Sequence, residues 1–433
     1  MTLRIEAEAL GIRYFLVSFT DLFGVARAKL VPTSAMDDVE ENGAAFAGFA
    51  TWLDMSPSDP DIFAVPDPKS MIQLPWKPEI GWLASDLYMN GEPLPQAPRQ
   101  LLKKSLSKAA DLGYQMSTGV ECEFFLLSGD GTAISDPLDA QAKPCYDQQA
   151  ITRRYDLISR ICDVMDMLGW EPYQNDHEDA NGQFEMNWKY ANALVTADRQ
   201  TFFKYLVKTM AEEAGFRATF MPKPFSHLTG NGCHMHVSLW NNSLSENVFE
   251  DKSASLGLST TAKQFLGGVL NSAEALTAIT NPTVNSYRRI GASTTSSGAT
   301  WSPNVVSYSG NNRTHMIRIP DAGRFELRLA DGAANPYLFP AAVLEAGLEG
   351  LKHQRDPGPA LDVNIYEDQE TARTLRRLPT NLYDALNCLE SSEALKAGLG
   401  QEFITSYVKL KRQQWNDYSR QVTPWEVEQT LDC

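Results

Sequence analysis

Two carboxylates alternate with apolar residues in a strongly hydrophobic segment of the chain. Glu121 and Glu123 lie in the run Val120-Glu-Cys-Glu-Phe-Phe-Leu-Leu127, and side chains two residues apart on a β-strand share one face. The unbroken apolar run after Glu123 is typical of a buried strand. Because two buried like charges repel each other, a fold that buries this strand needs a cation beside it. A solvated polar face is the alternative for such a pair taken alone.

Four further segments carry charged or imidazole side chains. They are 176–185 with Glu178 and Glu185, 230–238 with His234 and His236, 311–320 with Arg313 and Arg318, and 324–328 with Glu326 and Arg328. Each one alone fits a core histidine, a surface ion pair or a solvated loop. Together they supply a hard, oxygen-rich ligand set that suits two or three Mg²⁺ or Mn²⁺ ions better than zinc. Arginines beside such metals indicate a polyphosphate substrate and phosphoryl transfer.

Composition excludes some other classes of protein. With 54 acidic against 38 basic residues and a net charge of −16, the chain is not expected to bind nucleic acid. No apolar run approaches the roughly 18–20 residues that cross a bilayer, and the N-terminus is acidic where a signal peptide would be basic. The six cysteines form no Cys-x-x-Cys pair. A cytoplasmic protein without a membrane partner is expected.

Hydrophobic periodicity and turn residues predict an α+β fold in two domains. Residues 13–32 predict a β-hairpin that turns at 21–24, and the Pro- and Asp-rich stretch 56–98 predicts short strands. Helical spacing begins at Pro98, which favours domains at 1–97 and 98–433. Further helices are predicted over 98–112, 151–168 and 197–214, and strands over 115–128, 170–190, 216–240 and 314–330.

Segments in order along almost the whole chain resemble the glutamine synthetase family. The most specific are Glu121-Cys-Glu-Phe-Phe, Phe220-Met-Pro-Lys-Pro-Phe, Gly230-Asn-Gly-Cys-His-Met-His, Asn281-Pro-Thr-Val-Asn-Ser-Tyr-Arg-Arg, Asn312-Arg and Ala334-Asn-Pro-Tyr. The resemblance implies a small N-terminal β-grasp domain and a large glutamine synthetase/guanidino-kinase-like catalytic domain. It also implies a homo-oligomer of two stacked rings, expected as a dodecamer, in which a neighbour's N-terminal domain closes each active site.

The resemblance also implies a role for each matching residue. By motif, one metal falls to Glu123, Glu178 and Glu185, a second to Glu121, His234 and Glu326, ATP to His236, Ser238, Arg313 and Arg318, and glutamate to Arg289, Arg328 and Gly230. Arg313, Arg318 and Glu326 are the residues expected to act in catalysis. In the implied reaction ATP phosphorylates the γ-carboxylate of glutamate, and an amine then displaces phosphate from γ-glutamyl phosphate. The metals lower the repulsion between the two anionic substrates.

The chain departs from the family where ammonia-using members bind ammonium. Ala47 replaces an Asp in Phe46-Ala-Gly-Phe-Ala-Thr51, and Trp301 replaces a Glu in Gly298-Ala-Thr-Trp-Ser-Pro303. An aromatic wall suits an alkylated amine, because it buries a methyl group and contacts a cation through its π face. Tyr146 is expected in the same amine pocket. This pattern is similar to the γ-glutamylmethylamide synthetases, relatives grouped with the type III glutamine synthetases.

The sequence therefore leaves three functions open. The first is a ligase that joins glutamate to methylamine, and the second is ordinary glutamine synthesis from ammonia. The third is a catalytically inactive scaffold on the same fold, which retention of the metal ligands and arginines disfavours. The base that deprotonates the amine is not identified, although Asp54 is a candidate by proximity. Tyr366 is expected at the surface, and Cys122 is expected to point away from the metal ligands.

Overall fold

The first part of the chain forms a mixed β-sheet with two short helices. The computed structural model describes residues 2–433 except 291, 293–294 and 296–299. The elements of this first part are α1 (Leu3–Leu10), β1 (Tyr14–Thr20), β2 (Ala26–Pro32), α2 (Met36–Asn42), β3 (Ala44–Phe46), β4 (Ile62–Pro66), β5 (Ile72–Gln73), β6 (Ile80–Met89) and β7 (Glu92–Pro93). The strand order is β2-β1-β6-β4-β3, with β1 parallel to β6.

The hairpin predicted over 13–32 is confirmed as the antiparallel pair β1–β2. Its turn is closed by Asp21, whose Oδ1 accepts hydrogen bonds from the backbone N–H groups of Phe23 and Val25 at 3.0 and 3.1 Å. Gly24 has a φ of +79°, which L side chains rarely adopt. The acidic residue and the glycine together set the position of this turn.

The second part of the chain is a larger sheet with helices packed on one face. Its elements are α3 (Pro98–Asp111), β8 (Tyr114–Leu127), α4 (Gln148–Arg153), α5 (Tyr155–Met167), β9 (Pro172–His177), β10 (Gln183–Trp188), β11 (Ala191–Asn192), α6 (Ala193–Glu213), β12 (Arg217–Thr219), β13 (Cys233–Asn241), α7 (Thr260–Asn271), α8 (Ala273–Thr280), α9 (Ser286–Ile290), β14 (Tyr308–Ser309), β15 (Ile317–Arg318), β16 (Phe325–Leu327), α10 (Leu338–Lys352), α11 (Gln369–Thr374), α12 (Leu382–Ser391), α13 (Glu393–Leu399), α14 (Gln401–Ser419) and α15 (Pro424–Thr430). The predicted α+β class is confirmed.

The two faces of this sheet have opposite chemistry. The strands follow the order β14-β15-β16-β13-β8-β10-β9. Cys122 on β8 and Cys233 on β13 are paired across the strands and fully buried, and Gln200 on α6 donates a hydrogen bond to the Cys233 Sγ at 3.1 Å. Cys122 therefore points towards the helices, as expected. The glutamates on either side of it must point to the opposite face.

The helix predicted over 151–168 is two helices. Asp147 caps the first by accepting the N–H groups of Gln149 and Ala150 at 2.7 and 2.9 Å. The break is at Arg154, whose φ of −112° and ψ of 12° are not helical. Its guanidinium lies over the ring of Phe216, 4.7 Å from the centroid. A contact distant in sequence thus interrupts a pattern that is continuous in the sequence.

One arginine joins the two parts of the chain. Arg99, buried at the start of α3, contacts Asp67, Asp86 and Asp198 at 2.8 to 2.9 Å. Asp67 follows β4 and Asp86 lies on β6, both in the first part of the chain, and Asp198 lies on α6. The division of the chain into domains at 97/98 remains a prediction. Within the described ranges, no helix is both long enough and apolar enough to span a membrane.

Candidate active site

Acidic side chains from three neighbouring strands lie side by side on the open face of the sheet. Glu185 on β10 is paired with Glu123 on β8 and, on its other side, with Asp176 on β9. Glu178 belongs to the turn between β9 and β10, where its N–H donates to the Gln183 carbonyl at 2.9 Å. Strand register, which follows the alternation seen in the sequence, brings these carboxylates together.

A second group combines imidazole, carboxylate and guanidinium side chains. His234 on β13 is paired with Glu121 on β8, and their Nδ1 and Oε2 atoms are 3.3 Å apart. His236 lies opposite Glu326 on β16, and its Nε2 is 2.9 Å from the Glu121 Oε1. The Nε2 of His234 is buried and has no hydrogen-bond partner within the described part of the chain.

Two arginines contact the buried carboxylate of Glu326. Arg318 donates to its Oε2 at 2.8 Å and Arg328 to its Oε1 at 2.6 Å. Glu326 is fully buried. Burial alone would raise its pKa, but Arg328 and His234 outweigh burial and hold the pKa of Glu326 below its ordinary value. This carboxylate stays ionised and fixes both guanidinium groups.

The electrostatics of the other glutamates differ across the site. Burial, followed by the charge of Glu121, raises the pKa of Glu185 well above its ordinary value. Burial and then Glu123 do the same for the pKa of Glu178. For Glu121 burial acts in the same direction, yet hydrogen bonds with His234 and His236 prevail and lower its pKa. Within the described part of the chain, no lysine or arginine is among the main groups that lower the pKa of Glu178 or Glu185.

The glycine-rich turn before β13 allows the backbone to enter this cluster. A Cβ on Gly232 would lie 2.8 Å from the His234 Nε2 and 3.0 Å from a Glu123 oxygen. A Cβ on Gly230 would lie 2.2 Å from the Pro222 carbonyl oxygen. No side chain fits at either position without a shift, so these glycines are required by close approach.

A cavity of about 490 Å³ contains the acidic groups and the arginines. Of the residues predicted from sequence, its lining includes Glu121, Glu123, Glu178, Glu185, Gly230, His234, Arg289, Arg313, Arg318, Arg328, Tyr146 and Trp301. The predicted ATP residues His236 and Ser238 line an adjacent cavity of about 280 Å³, which shares Glu121 with the first. The structure therefore places the predicted nucleotide residues and metal ligands next to each other.

The two aromatic residues of the cavity have unusual backbone conformations. Tyr146 has a φ of 64° and Trp301 a φ of 53°, which is costly for bulky side chains and is found mainly at functional sites. The backbone N–H of Tyr146 donates to the His177 carbonyl at 2.8 Å, next to Glu178. Residues 298 and 299, part of the segment predicted to carry the replaced glutamate, lie outside the described residues.

Ala47 lies outside the cavity of its own chain. It is exposed at the end of β3 in the first part of the chain. Asp54 does not line the cavity either, and its Oδ1 pairs with the Lys409 Nζ at 2.7 Å. A role for Ala47 in the amine pocket therefore requires a neighbouring copy of the chain.

Tyr366 is more buried than the sequence predicts. Its side chain is only partly exposed, and its hydroxyl oxygen is buried. Burial raises the pKa of this hydroxyl, while Arg328 and Arg289 act in the opposite direction. The prediction of a surface tyrosine was wrong, because the loop between α10 and α11 folds this ring towards the predicted glutamate-binding arginines.

Sequence reasoning missed several polar residues of the cavity, among them Asp176 and Asn187. Asp176 precedes Glu178 by two residues, which is the same spacing as between Glu121 and Glu123. This spacing could have indicated Asp176 as a residue of the site. Asn187 donates from Nδ2 to the Glu185 Oε1 at 2.8 Å, and its Oδ1 is buried without a partner among the described residues. Its position two residues after Glu185 on the same strand could have indicated it.

The donor set fits a divalent cation. Ligand atoms lie within 4.8 Å of one another in the sets Glu121–His236–Glu326, Glu121–Glu185–His234 and Asp176–Glu178–Glu185. Carboxylate oxygens with a minority of imidazole nitrogens suit Mg²⁺ or Mn²⁺. The raised pKa values of Glu178 and Glu185 also fit, since a cation would relieve the repulsion that raises them.

Comparison with known proteins agrees with this geometry. Residues 95–430 match the family model described as glutamine synthetase, catalytic domain. The chain belongs to the glutamine synthetase family. It is 57% identical to a glutamine synthetase of Rhizobium leguminosarum bv. phaseoli over the full length of both proteins. Identity to a glutamate–methylamine ligase of Methyloversatilis universalis is 41%, covering 97% of this chain and 96% of that protein.

A solved structure described as a GmaS/ADP complex has the same fold. It is 60% identical to this chain, with a TM-score of 0.97 and complete coverage of both chains. As a member of the glutamine synthetase family, the protein is an enzyme, a glutamate ligase. Enzymes of this family use ATP and a divalent metal. The relatives carry different amines in their names, so the family leaves the amine of this ligase open.

Proposed function

We propose that this ligase joins glutamate to methylamine with hydrolysis of ATP, through γ-glutamyl phosphate. The observation that carries this proposal is the presence of Trp301 and Tyr146 in the same cavity as the acidic cluster and the arginines. Their indole and phenol rings supply apolar surface beside the expected site of phosphoryl transfer. A methyl group on the amine would be buried there, and a methylammonium ion would contact the π faces.

The arginines of the cavity would bind glutamate. Arg289 is buried and its Nη1 donates to the Leu329 carbonyl at 3.2 Å, which fixes its orientation. Arg328 is held by Glu326. We assign the carboxylates of glutamate to these two guanidinium groups, with the backbone of Gly230 completing the site. Planar guanidinium groups bind carboxylates through two parallel hydrogen bonds, so this pair selects a dicarboxylic substrate.

The acidic cluster would hold two or three Mg²⁺ or Mn²⁺ ions. We assign one to Glu123, Glu178 and Glu185 and another to Glu121, His234 and Glu326. Ligand atoms of Asp176 lie within 4.8 Å of those of Glu178 and Glu185, so Asp176 extends the first set. When bound, such ions neutralise the triphosphate and the γ-carboxylate, which otherwise repel each other. The protein's own part is to hold these carboxylates in fixed register on adjacent strands.

Two further arginines would stabilise negative charge during transfer. Arg318 is positioned by Glu326 on one side and by the Asn311 Oδ1, 2.8 Å from its Nε, on the other. Arg313 is exposed at the edge of the same cavity. We assign both to the ATP phosphates and to the phosphoryl group in transfer. His236 and Ser238 would bind ATP in the adjacent cavity.

Glutamine synthesis from ammonia is the second candidate. It is favoured by the name of the relative from Rhizobium leguminosarum, which is 57% identical, whereas the glutamate–methylamine ligase is 41% identical. The loss of an acid at Ala47 and the aromatic residue at Trp301 favour methylamine. The pairing of Asp54 with Lys409 argues against this carboxylate as the base that deprotonates the amine.

We further propose that the active enzyme is a dodecamer of two stacked rings in the cytoplasm. In that assembly the first part of one chain would close the active site of the next. This placement would bring Ala47, and the exposed side chains of Phe49 and Trp52 near it, to the amine pocket. The cysteines are free thiols, which supports a reducing compartment.

Paired steady-state kinetics with methylamine and ammonium test the proposal. The enzyme would be assayed for amine-dependent phosphate release with saturating glutamate, ATP and Mg²⁺. We expect kcat/KM to be higher for methylamine than for ammonium. A ratio that favours ammonium would establish glutamine synthesis instead, and absence of phosphate release with both amines would support the inactive scaffold.

A further inference from the structure

Gln183 is the first residue of β10. Its side chain is fully buried and contacts both a predicted metal ligand and the glycine-rich turn before β13. Its Nε2 lies 3.1 Å from the Glu123 Oε2, 3.2 Å from the Gly230 carbonyl oxygen and 2.9 Å from the Asn231 Oδ1. These three atoms are all acceptors. The amide NH₂ group therefore faces them, and its two protons are shared among a metal ligand and two positions of the glycine-rich turn.

The residues that Gln183 contacts also take part in other hydrogen bonds. The Glu123 Oε2 also accepts the backbone N–H of Gly232 at 2.6 Å. The Asn231 Nδ2 donates to the Met221 carbonyl at 2.8 Å, so its Oδ1 is turned towards Gln183. Glu123 and the turn 230–232 are thus joined three times: through the Gly232 N–H, through the Glu123 N–H, which donates to the Gly232 carbonyl at 3.3 Å, and through the Gln183 amide.

The backbone of Gln183 extends this connection to a third ligand. Its carbonyl accepts the N–H of Glu178 at 2.9 Å, and its own N–H donates to the Ala180 carbonyl at 3.0 Å. Glu185 follows two residues later on the same strand. One residue therefore contacts Glu123 through its side chain and Glu178 through its backbone, and it precedes Glu185.

Only a neutral donor of this length suits the position. A carboxylate of the same size would place negative charge against the Glu123 oxygen and two further acceptors. An apolar side chain would leave the Gly230 carbonyl without this donor in a buried environment. The Gln183 Oε1 is itself buried without a partner within the described ranges, so this amide is retained despite an unsatisfied acceptor.

We propose that Gln183 is a positioning residue that couples the binding of the divalent cation to the binding of glutamate. A cation that draws Glu123 into place also fixes the Gln183 amide, and the amide fixes the Gly230 carbonyl at the glutamate site. The inference rests on the proposed function, since it takes the roles of Glu123 and Gly230 from there. Coupling of this kind is reciprocal between the two ligands.

Calorimetric titration with glutamate, with and without Mg²⁺, tests the coupling. ADP would be present throughout, so that no phosphoryl transfer occurs. The variants are Gln183→Met, which removes the donor, and Gln183→Glu, which keeps the size and reverses the polarity. Gln200→Met is the matched control, because Gln200 is equally buried but contacts Cys233 on the opposite face of the sheet.

For the wild-type enzyme we expect Mg²⁺ to tighten glutamate binding about tenfold, a size typical of coupled sites. Both Gln183 variants should reduce this factor to about twofold or less, whereas Gln200→Met should keep it. A Gln183 variant that folds and retains the wild-type factor would overturn the inference, as would a wild-type enzyme without coupling. If Gln183→Met does not fold, the Gln183→Glu result decides. Failure of the proposed function is separate, because it would appear as a wild-type enzyme that forms no γ-glutamyl amide.

Discussion

Glu185 and Glu123 lie directly opposite each other on adjacent antiparallel strands, and both carboxylates are buried. Side chains in such a pair have Cβ atoms about 4.5–5.5 Å apart. Among the described residues, neither carboxylate forms an ion pair within 4.0 Å with an arginine or lysine, although the charge of Glu123 does act on the Arg289 guanidinium. Like charges in this arrangement destabilise a sheet unless a cation compensates them.

Binding of Mg²⁺ should release protons from the enzyme. Burial and neighbouring carboxylates raise the pKa values of Glu185 and Glu178, so the metal-free site holds protons that a cation displaces. Calorimetry at one pH in buffers of different ionisation enthalpy would count them. The number released should fall as the pH rises, and it should be smaller in Glu185→Gln. Equal release by that variant would contradict the assignment of Glu185.

Replacement of Glu326 by alanine should abolish activity. The change removes an assigned metal ligand and leaves Arg318 and Arg328 without their shared carboxylate. Loss of a group that only orients metal ligands typically costs roughly 10–100-fold. Because Glu326 is itself an assigned ligand, we expect kcat to fall by more than this. Amine-dependent phosphate release measures the effect. Glu349→Ala, which removes the partner of Arg355 on α10, is the control and should stay near wild type.

Replacement of Trp301 by glycine should reduce the preference for methylamine. Burial of a methyl group contributes about 0.8 kcal/mol and a cation–π contact about 0.5–1 kcal/mol, so their loss together is roughly tenfold in kcat/KM. The value for ammonium should change less. Glycine adopts the φ of 53° at this position without strain. Trp425→Ala, at an exposed site on α15, is the control, and an equal loss for both amines would argue against the pocket.

An Ala47→Asp change should shift the preference towards ammonium. Ala47 is exposed and does not line its own cavity, so the added carboxylate should act only in the proposed ring assembly. The ratio of kcat/KM values for the two amines is the measurement. Ala26→Asp, at another exposed position of the same sheet, should leave the ratio unchanged. An unchanged ratio in Ala47→Asp would count against this residue as part of the pocket.

Lys411 on α14 should make stability depend on pH. Burial lowers its pKa from 10.5 to about 7, and its Nζ lies 3.7 Å from the centroid of Phe23. Between pH 7 and 10.5 the unfolded chain binds a proton here that the folded chain does not. The free energy of unfolding should therefore rise with pH across this window, by up to about 1.4 kcal/mol per pH unit.

Urea unfolding at several pH values between 7 and 10 would measure this slope. The Lys411→Met variant should lose most of the slope and should be more stable than wild type near pH 7. Lys409→Met is the control, because Lys409 is largely exposed and its loss should leave the slope intact. A wild-type slope in Lys411→Met would show that other groups cause the pH dependence.

The strand-borne part of the site could be predicted from the sequence. Alternation with a period of two places Glu121 and Glu123 on the face opposite to Cys122 in any regular strand, whatever lies next to it. The same reasoning should have found Asp176, which precedes Glu178 by two residues. A strand is predicted over 170–190, but four polar residues in a row in Asp176-His-Glu-Asp179 show no alternation with apolar residues, so the face of Asp176 is not evident from the pattern.

Other features depend on contacts that no local pattern contains. The break at Arg154 coincides with its contact with Phe216, and the burial of Tyr366 follows from the path of the loop between α10 and α11. The contacts of Gln183 required the register of β8, β10 and the glycine-rich turn together. The positive φ values of Tyr146 and Trp301 are likewise imposed by the surrounding structure.

The contact of Arg99 with acids from both parts of the chain has a consequence for how the molecule denatures. Separating the two sheets would leave the buried Arg99 guanidinium without Asp67 and Asp86 if it stayed with α6, or without Asp198 if it did not, at a cost of several kcal/mol. Unfolding of one sheet while the other stays folded is therefore costly. Within one subunit, heat or urea should thus produce a single cooperative transition.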